Sequence, residues 1–576
     1  MNNHEIAKIF YDMARFLQME GVAFKPYAFE KAGNTIEALK EDVGDIYRRG
    51  GLKALMEIPS IGKAIAGHIE EYIKTGKVKD YENFKKKLPL KMDELSKVEG
   101  LGPKKIKILY QKLGVKDLKD LEKAVKSHKI APIFGFGEKT EQNILQGLDF
   151  LKRDKGRFLI SEILPIAREV YKKLENLKEV EKISLAGSLR RGKETIGDVD
   201  FLVVSENAKK VMDFFVALPG VEKVWGKGGT KASVRMKLGF DMDLRVVSKK
   251  SHGAALQYFT GSKDHNIITR KIAIDKGLKL SEYGLFDGAK MIASKSEEDV
   301  YNKLGLDWIA PEIRENEGEI EASLNNNLPK LIELKDIKGD LHIHSNWGEE
   351  DGDKDSIENL AKKAIELGYE YIGISDHTND LKVERSLNEK ELLEQNAYIK
   401  KLNEKFKSKN EKFRILHGCE ANIRKDGSID VADEVLEKLD YVIAGVHSFL
   451  KMEKEEMTSR IVKAMKNKNV DIIAHPTGRI VNQRDEYALD FDKILKVAKE
   501  TGTVLEINSS SRLDLRDLYI RRAKNEGVKM IINTDAHKKD HMKLMEYGVL
   551  QARRGWAETD SIINTLSVEE LLSNLK

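Results

Sequence analysis

Apolar spacing changes twice along the 576 residues. Through about residue 155, apolar positions fall three and four apart, as in Ile65 and Ile69 or Ile106 and Leu109, between short glycine turns. That period predicts amphipathic helices. The middle of the chain alternates instead. Lys182–Ala186 leans apolar, Gly187–Gly192 is a turn, and Val199–Val204 is a β-rich run. Ala232–Leu238, a turn at Gly239 and Asp241–Val247 predict a hairpin. Arg270–Lys276 predicts a helix, with short strands at Leu278–Leu280 and Met291–Ile292. An acidic, asparagine-rich stretch from Ala310 to Pro329 predicts a linker between independently folding units.

The last third repeats a third pattern: a short apolar strand, a polar residue at its end, then a helical stretch. Gly339–Ile343 leads into His344 and contains His342, and Tyr371–Ser375 leads to Asp376 and His377. Phe413–Gly418 precedes Glu420, Tyr441–Val446 precedes His447, and Val470–Ala474 precedes His475. Thr503–Asn508 contains Glu506 and Asn508, and Met530–Asn533 precedes Asp535 and His537. Seven such βα units predict a parallel barrel one unit short of eight, with its chemistry at the strand C-termini.

Composition narrows the class. With 41% hydrophobic and 34% charged residues, the chain reads as soluble, globular and multidomain. No run of about eighteen apolar residues predicts a membrane span, and Met1–Glu5 does not open a signal peptide. The single cysteine, Cys419, rules out an intrachain disulfide and fits a reducing, cytoplasmic setting. Net charge is +5 but unevenly spread. Residues 1–155 carry 30 Lys/Arg against 23 Asp/Glu, and the remainder 70 against 72. The basic first quarter suits a polyanion partner.

Three turns in that quarter look alike: Ile58–Gly62, Val98–Gly102 and Ile133–Gly137. Each precedes a helix-forming segment, the helix-hairpin-helix pattern, whose turn and following helix N-terminus aim N–H groups at a phosphate. Gly62, Lys63, Gly100, Gly102, Gly135 and Gly137 are the candidate DNA contacts. A plain αα-hairpin with a glycine cap is the alternative, and three copies in a basic region weigh against it. Ser60 stands where the first glycine of the pattern is usual.

In the middle of the chain, Asp198 and Asp200 share one strand face. Two adjacent acids repel unless cations lie between them, and a pair of divalent ions there suits phosphoryl transfer. The hairpin strand offers a third acid, Asp241 or Asp243. Gly187-Ser188, Asp198-Val199-Asp200, the second Asp-x-Asp and Tyr258-Phe259-Thr260-Gly261-Ser262 together resemble the family X DNA polymerases, over about residues 1–315. The resemblance implies that Asp198, Asp200 and Asp243 are the catalytic carboxylates and hold Mg²⁺ or Mn²⁺. It gives the nucleotide to Gly187, Ser188, Arg191, Tyr258, Phe259, Gly261 and Asn266, with Arg270 on template DNA. Where some members carry a Schiff-base lysine, this chain has His68, which cannot form an imine.

The histidine-rich strand ends resemble the polymerase-and-histidinol-phosphatase (PHP) domain, from about residue 334 to 576. A lone strand-end histidine is usually structural, but six strand ends agree here. The implied ligands are His342, His344, His377, Glu420, His447, His475, Asp535 and His537, with Glu349 first and Asp351 second for the remaining position. Imidazole and carboxylate suit a cluster of Mn²⁺, Zn²⁺ or Fe²⁺. Arg479 and Arg512 are equal candidates to hold a substrate phosphate.

The expected architecture is therefore a helix-hairpin-helix domain (1–90), a second such region (91–155), an α+β nucleotidyltransferase palm (156–250), a small thumb-like nascent-base-pair domain (251–315), a linker (316–333) and a C-terminal (β/α)₇ PHP barrel (334–576). The expected activity is gap-filling DNA synthesis in base-excision repair with 3′–5′ exonuclease processing. Gapped or primed duplex DNA and deoxynucleoside triphosphates are the expected partners of a monomer. A histidinol-phosphatase-like small-molecule phosphoesterase and a scaffold with an inactive palm are the alternatives. The helix-hairpin-helix region argues against the first, and the intact acids against the second.

Overall fold

The computed structural model describes residues 3–576 except 23–24, 38, 40, 59, 89, 96–97, 99–100, 139, 143, 146–147, 149–155, 348–353, 380–385 and 408–412. The chain divides into two compact units, Met1–Gly156 and Arg157–Lys576.

The first unit is helical. Eight helices are described between Asn3–Met19 and Leu118–Lys126. Their apolar stripes meet in one core that includes Phe10, Ile36, Leu55, Ile69, Leu109, Leu121 and Ile144. That core runs through the division expected at residue 90. The three glycine turns close with the same hydrogen bond, from Ile61, Leu101 and Phe136 N–H to the Ile58, Val98 and Ile133 carbonyls, at 3.1, 3.1 and 3.0 Å. Gly62 and Gly102 then cap helices Lys63–Thr75 and Pro103–Leu113 without any side-chain acceptor, which leaves the first N–H groups open to a ligand. Ser60 adopts φ +69°, a backbone region that usually selects glycine. Gly100 lies outside the described residues.

In the second unit the palm sheet has five strands in the order Lys182–Leu185, Asp198–Val204, Asp241–Val247, Lys231–Met236, Val221–Lys227. Alternation sorts its faces. Val199, Phe201 and Val203 join Met242, Leu244 and Val246 beneath helices Ile160–Glu175 and Ala208–Val216. The acids between them face the other way. The small domain carries a three-stranded sheet (Lys279–Ser281, Gly284–Asp287, Lys290–Ala293) under helices His252–Thr260, Lys263–Asp275 and Glu297–Lys303. Arg190 grips Glu297 with both Nη atoms at 2.8 and 2.7 Å, and the fully buried Arg314 reaches the same carboxylate at 2.6 Å.

Seven parallel strands form the barrel: Gly339–Ile343, Tyr371–Ile374, Arg414–His417 continuing as Glu420–Asn422, Ile443–Gly445, Ile472–Ile473, Val504–Asn508 and Met530–Asn533. Bridges His377–Glu420 and Ile343–Ala536 join the two sheets into a ring. Leu341, Tyr371, Leu416, Ile443 and Ile531 fill its interior, closed below by Ile563, Val568 and Leu571.

The stretch expected as a free linker, 316–333, is instead packed. It forms helix Glu319–Leu324, and Ile320 enters the small domain's core while Ile332 enters the barrel's. Glu319, fully buried, accepts from the N–H groups of Asn316 and Glu317 and meets His265 Nδ1 at 2.7 Å. The palm core in turn takes in Val481, Leu513 and Tyr547 of the barrel. Polar composition suggested a tether, but a buried carboxylate with three partners makes an acidic segment a structural one.

Candidate active sites of the palm and the barrel

The palm strands Asp198–Val204 and Asp241–Val247 run parallel in a register that sets Asp198 opposite Asp241 and Asp200 opposite Asp243. The two candidates for the third acid are thereby separated. Asp241 accepts from Trp225 Nε1 at 2.9 Å and pairs with the buried Arg235 at 3.3 Å, so it ties the sheet edge. Asp243 lies beside Asp200 and meets Lys231 Nζ at 2.7 Å. Burial, then Asp198 and Asp243, pushes Asp200 up to about 7. Burial and Asp243 raise Asp198 as well. Crowded acids of this kind are a donor set that fits divalent cations.

That crowding has a measurable sign. An acid whose folded pKa is raised stabilises the fold while protonated and stops doing so as pH rises through the folded value. The metal-free palm is therefore expected to lose stability as pH rises through about 7. Mg²⁺ should raise the melting temperature more at pH 8 than at pH 6. Asp200→Asn should remove that difference, as read by calorimetry with and without chelator.

The turn before these acids is built around a missing side chain. Gly187 has φ +61°, and a Cβ there would lie 2.1 Å from Asp200 Oδ2. Gly187→Ala is expected to displace Asp200 and cut primer extension by about a hundredfold while leaving 3′-end degradation unchanged, as measured on one labelled primer–template. Beside it, Ser188 Oγ is buried without a hydrogen-bond partner among the described residues. Arg191 is braced by the Thr260 carbonyl and by Glu315 at 3.1 Å. Tyr258 and Phe259 meet edge to face at 5.1 Å, with Arg270 over the first ring at 6.0 Å and Arg245 over the second at 4.6 Å. Gly261, at φ +71°, ends their helix. Asn266 is buried, and its carboxamide is engaged internally, donating to the Tyr258 carbonyl at 2.7 Å and accepting from Gln257 at 2.8 Å. In this structure it shapes the Tyr258–Phe259 turn from behind.

In the barrel, the strand-end groups converge on Glu420. One oxygen lies 2.9 Å from His377 Nδ1 and 3.2 Å from His342 Nε2, and the other 2.9 Å from His447 Nε2 and 3.0 Å from His475 Nε2. Asp535 stands 3.3 Å from His344 Nε2 and 3.8 Å from His537 Nδ1. Three overlapping triads have metal-ligand spacing: His344–His377–His537, His342–His344–Glu420 and His377–Glu420–His447. Both ring nitrogens of His344 are buried without a hydrogen-bond partner among the described residues. Burial, then His377, holds this imidazole well below its usual pKa. A neutral imidazole with unused lone pairs beside a shared carboxylate fits a metal cluster. His475 and Asp535 have φ +29° and +55°, so two of the candidate ligands sit in left-handed backbone. Glu349 and Asp351 lie outside the described residues.

Two groups aim these ligands: Glu506, which the sequence marked only as a strand-end acid, and Asn422, which it did not mark. Glu506, fully buried, meets His342 Nδ1 at 2.7 Å and accepts the His475 N–H at 2.8 Å. Asn422 Oδ1 meets His447 Nδ1 at 2.7 Å. Such partners fix ring orientation and tautomer. Each follows a strand residue by two positions, which was the signal available: Glu506 follows Val504, and Asn422 follows Glu420 itself. Gly445 leaves room for the ligands themselves, since a Cβ there would sit 2.9 Å from Glu420 Oε1 and 2.8 Å from His447 Cε1. The two candidate arginines part company. Arg512 Nε lies 3.6 Å from Asp535. Arg479 is buried and spends its donors on the Leu513 carbonyl and on Glu194 of the palm at 2.7 Å. It fastens barrel to palm.

Comparison with known proteins agrees with this layout. Residues 1–78 match the helix-hairpin-helix domain, 92–149 the SAM-like helix-hairpin-helix tandem, 255–315 the DNA polymerase beta thumb and 340–510 the PHP domain. The DNA polymerase/3′-5′ exonuclease PolX of Bacillus subtilis (strain 168) is 38% identical over 582 residues, covering all of both chains. The chain belongs to the family X DNA polymerases that carry a PHP domain. Other relatives match shorter stretches of this family X chain. DNA polymerase lambda of Arabidopsis thaliana is 24% identical over 349 residues, 54% of this chain and 62% of its own. A probable phosphatase of Thermoanaerobacter sp. (strain X514) is 34% identical over 162 residues, 26% of this chain and 64% of its own. No helix among the described residues of this family X member is long and apolar enough to cross a membrane.

Proposed function

We propose that this protein is a DNA-directed DNA polymerase that fills short gaps in repair, and that its PHP barrel is a 3′–5′ exonuclease that trims 3′ ends. The observation that carries the reading is the coexistence in one chain of the paired Asp200–Asp243 register and the Glu420-centred histidine pocket. Asp198, Asp200 and Asp243 would hold Mg²⁺ or Mn²⁺, and the barrel set Mn²⁺, Zn²⁺ or Fe²⁺. When bound, such ions neutralise phosphoryl charge and activate the attacking oxygen.

The chain's own groups do the rest. Ser188 Oγ and Arg191 would take the triphosphate of a deoxynucleotide, and Tyr258 and Phe259 would floor its sugar pocket. Arg270 and the glycine turns would position duplex DNA through phosphates, without reading sequence. In the barrel, Arg512 would hold the scissile phosphate against the cluster. We place the protein in the cytoplasm as a monomer.

A gapped, end-labelled duplex tests this directly. With deoxynucleotides, extension should stop where the gap is filled. Without them, the 3′ end should shorten one nucleotide at a time. Release of phosphate from histidinol phosphate with an intact DNA label would favour the small-molecule phosphoesterase. DNA retention with neither reaction would favour a scaffold.

A further inference from the structure

The turn that would grip the nucleotide's phosphates is held in place by the barrel. Gly192, at φ +63°, lies against the barrel helix Met545–Arg554, where a Cβ would sit 3.3 Å from Leu550 Cδ2. Arg554 ends that helix and is 7% exposed. Its Nη1 donates to the Arg191 carbonyl at 3.2 Å, the Glu312 carbonyl at 3.3 Å and Glu315 at 3.1 Å, while Nη2 holds Asp517. The same Glu315 oxygen takes Arg191 Nε and Lys193 Nζ, each at 3.1 Å. Arg191 Nη1 is fixed by the Thr260 carbonyl. One guanidinium nitrogen of Arg191, Nη2, makes no protein hydrogen bond among the described residues.

We propose that Arg554 is a positioning residue of the polymerase site. Through the Arg191 carbonyl and Glu315 it fixes the guanidinium that receives the triphosphate, so the PHP barrel sets nucleotide affinity in the palm. The proposal rests on the reading of Arg191 as a phosphate-gripping residue. The physical reason is preorganisation. A free arginine surrenders rotamer freedom when it binds, and one already held on two of its three nitrogens surrenders less. The three cations around Glu315 also need its charge. Burial would push this carboxyl up, but Arg191, Lys193 and Arg554 outweigh that and keep it ionised. Lysine cannot replace Arg554, because a single ammonium does not span the Arg191 carbonyl, Glu315 and Asp517 at once.

Steady-state incorporation on a one-nucleotide gap tests this in the full-length protein. Arg554→Ala is expected to raise KM for the deoxynucleotide about tenfold, with kcat little changed and 3′-end degradation at the wild-type rate. Arg554→Lys should remain near the alanine value. Glu315→Gln, almost isosteric, should raise KM several-fold. The double variant should exceed the larger single effect little, because the two act through one contact. An unchanged KM in Arg554→Ala, or full rescue by lysine, overturns the proposal. If Arg554→Ala fails to fold, Glu315→Gln decides: a raised KM supports the proposal and an unchanged KM overturns it. Arg191→Ala separates the two readings. If it leaves KM unchanged, the phosphate-gripping role of Arg191 falls and this inference with it. If it raises KM while the other variants do not, only this inference falls.

Discussion

Asp243→Ala is expected to reduce nucleotide incorporation by about a thousandfold or more and to leave 3′-end degradation at the wild-type rate. The magnitude follows from the geometry. Asp243 sits directly across the parallel register from Asp200, on the polar face of the palm sheet. Removing one of three carboxylates that would share cations should cost several kcal/mol of transition-state stabilisation, and each 1.36 kcal/mol is about a factor of ten. The side chain is 26% exposed and its neighbours in the sheet are apolar on the far face, so its removal opens no core cavity. Asp241→Ala is the matched control. That carboxylate is committed to Trp225 and Arg235, so its loss should loosen the sheet edge and cost incorporation far less. Equal losses from the two variants would sink the assignment. Single-turnover incorporation on a gapped duplex is the measurement.

Glu420→Gln is expected to do the converse: abolish degradation, by about a thousandfold or more, and leave extension intact. Its two oxygens are shared among four imidazoles within 3.2 Å, a density that no other carboxylate approaches among the described residues of the barrel. An amide of the same shape removes the charge and turns one end from acceptor to donor. The site would then lose the carboxylate shared by four imidazoles, and bound metal should fall in parallel with activity when measured by elemental analysis. His342→Ala should act in the same direction, since His342 is held between Glu420 and Glu506. Retained degradation in Glu420→Gln would contradict a Glu420-centred cluster. Loss of extension in either barrel variant would contradict two separable sites.

The two experiments use one substrate and one strand, which matters for what the fold does. Palm and barrel are not beads on a string. Val481, Leu513 and Tyr547 of the barrel lie in the palm's own core, Arg479 reaches Glu194, and Arg554 reaches Arg191. Variants that open the apolar seam at Val481, Leu513 or Tyr547 should move both activities, whereas Arg554→Ala should move nucleotide affinity alone and variants at the two metal sites one activity each.

What the sequence by itself determined is whatever short-range periodicity carries. Alternation placed Asp198 with Asp200 on one face, and the recurrence of a polar residue after each apolar strand marked the barrel's functional rim. The repeated glycine turns marked three backbone hairpins that close with the same hydrogen bond. These features depend on residues two to four positions apart, so local composition exposes them. The tertiary structure alone decided the rest. It gave Asp241 the partners Trp225 and Arg235, a physical ground for the choice of Asp243 that the family resemblance had already implied. It turned Asn266 inward, sent Arg479 to the palm, folded the acidic connector around Glu319, and recruited Glu506 behind His342. Each outcome turns on which charged or polar groups lose water together, and the partners come from elements far apart in the chain. A buried charge must find its counterpart wherever the fold brings one, and no spacing along the chain records where that is.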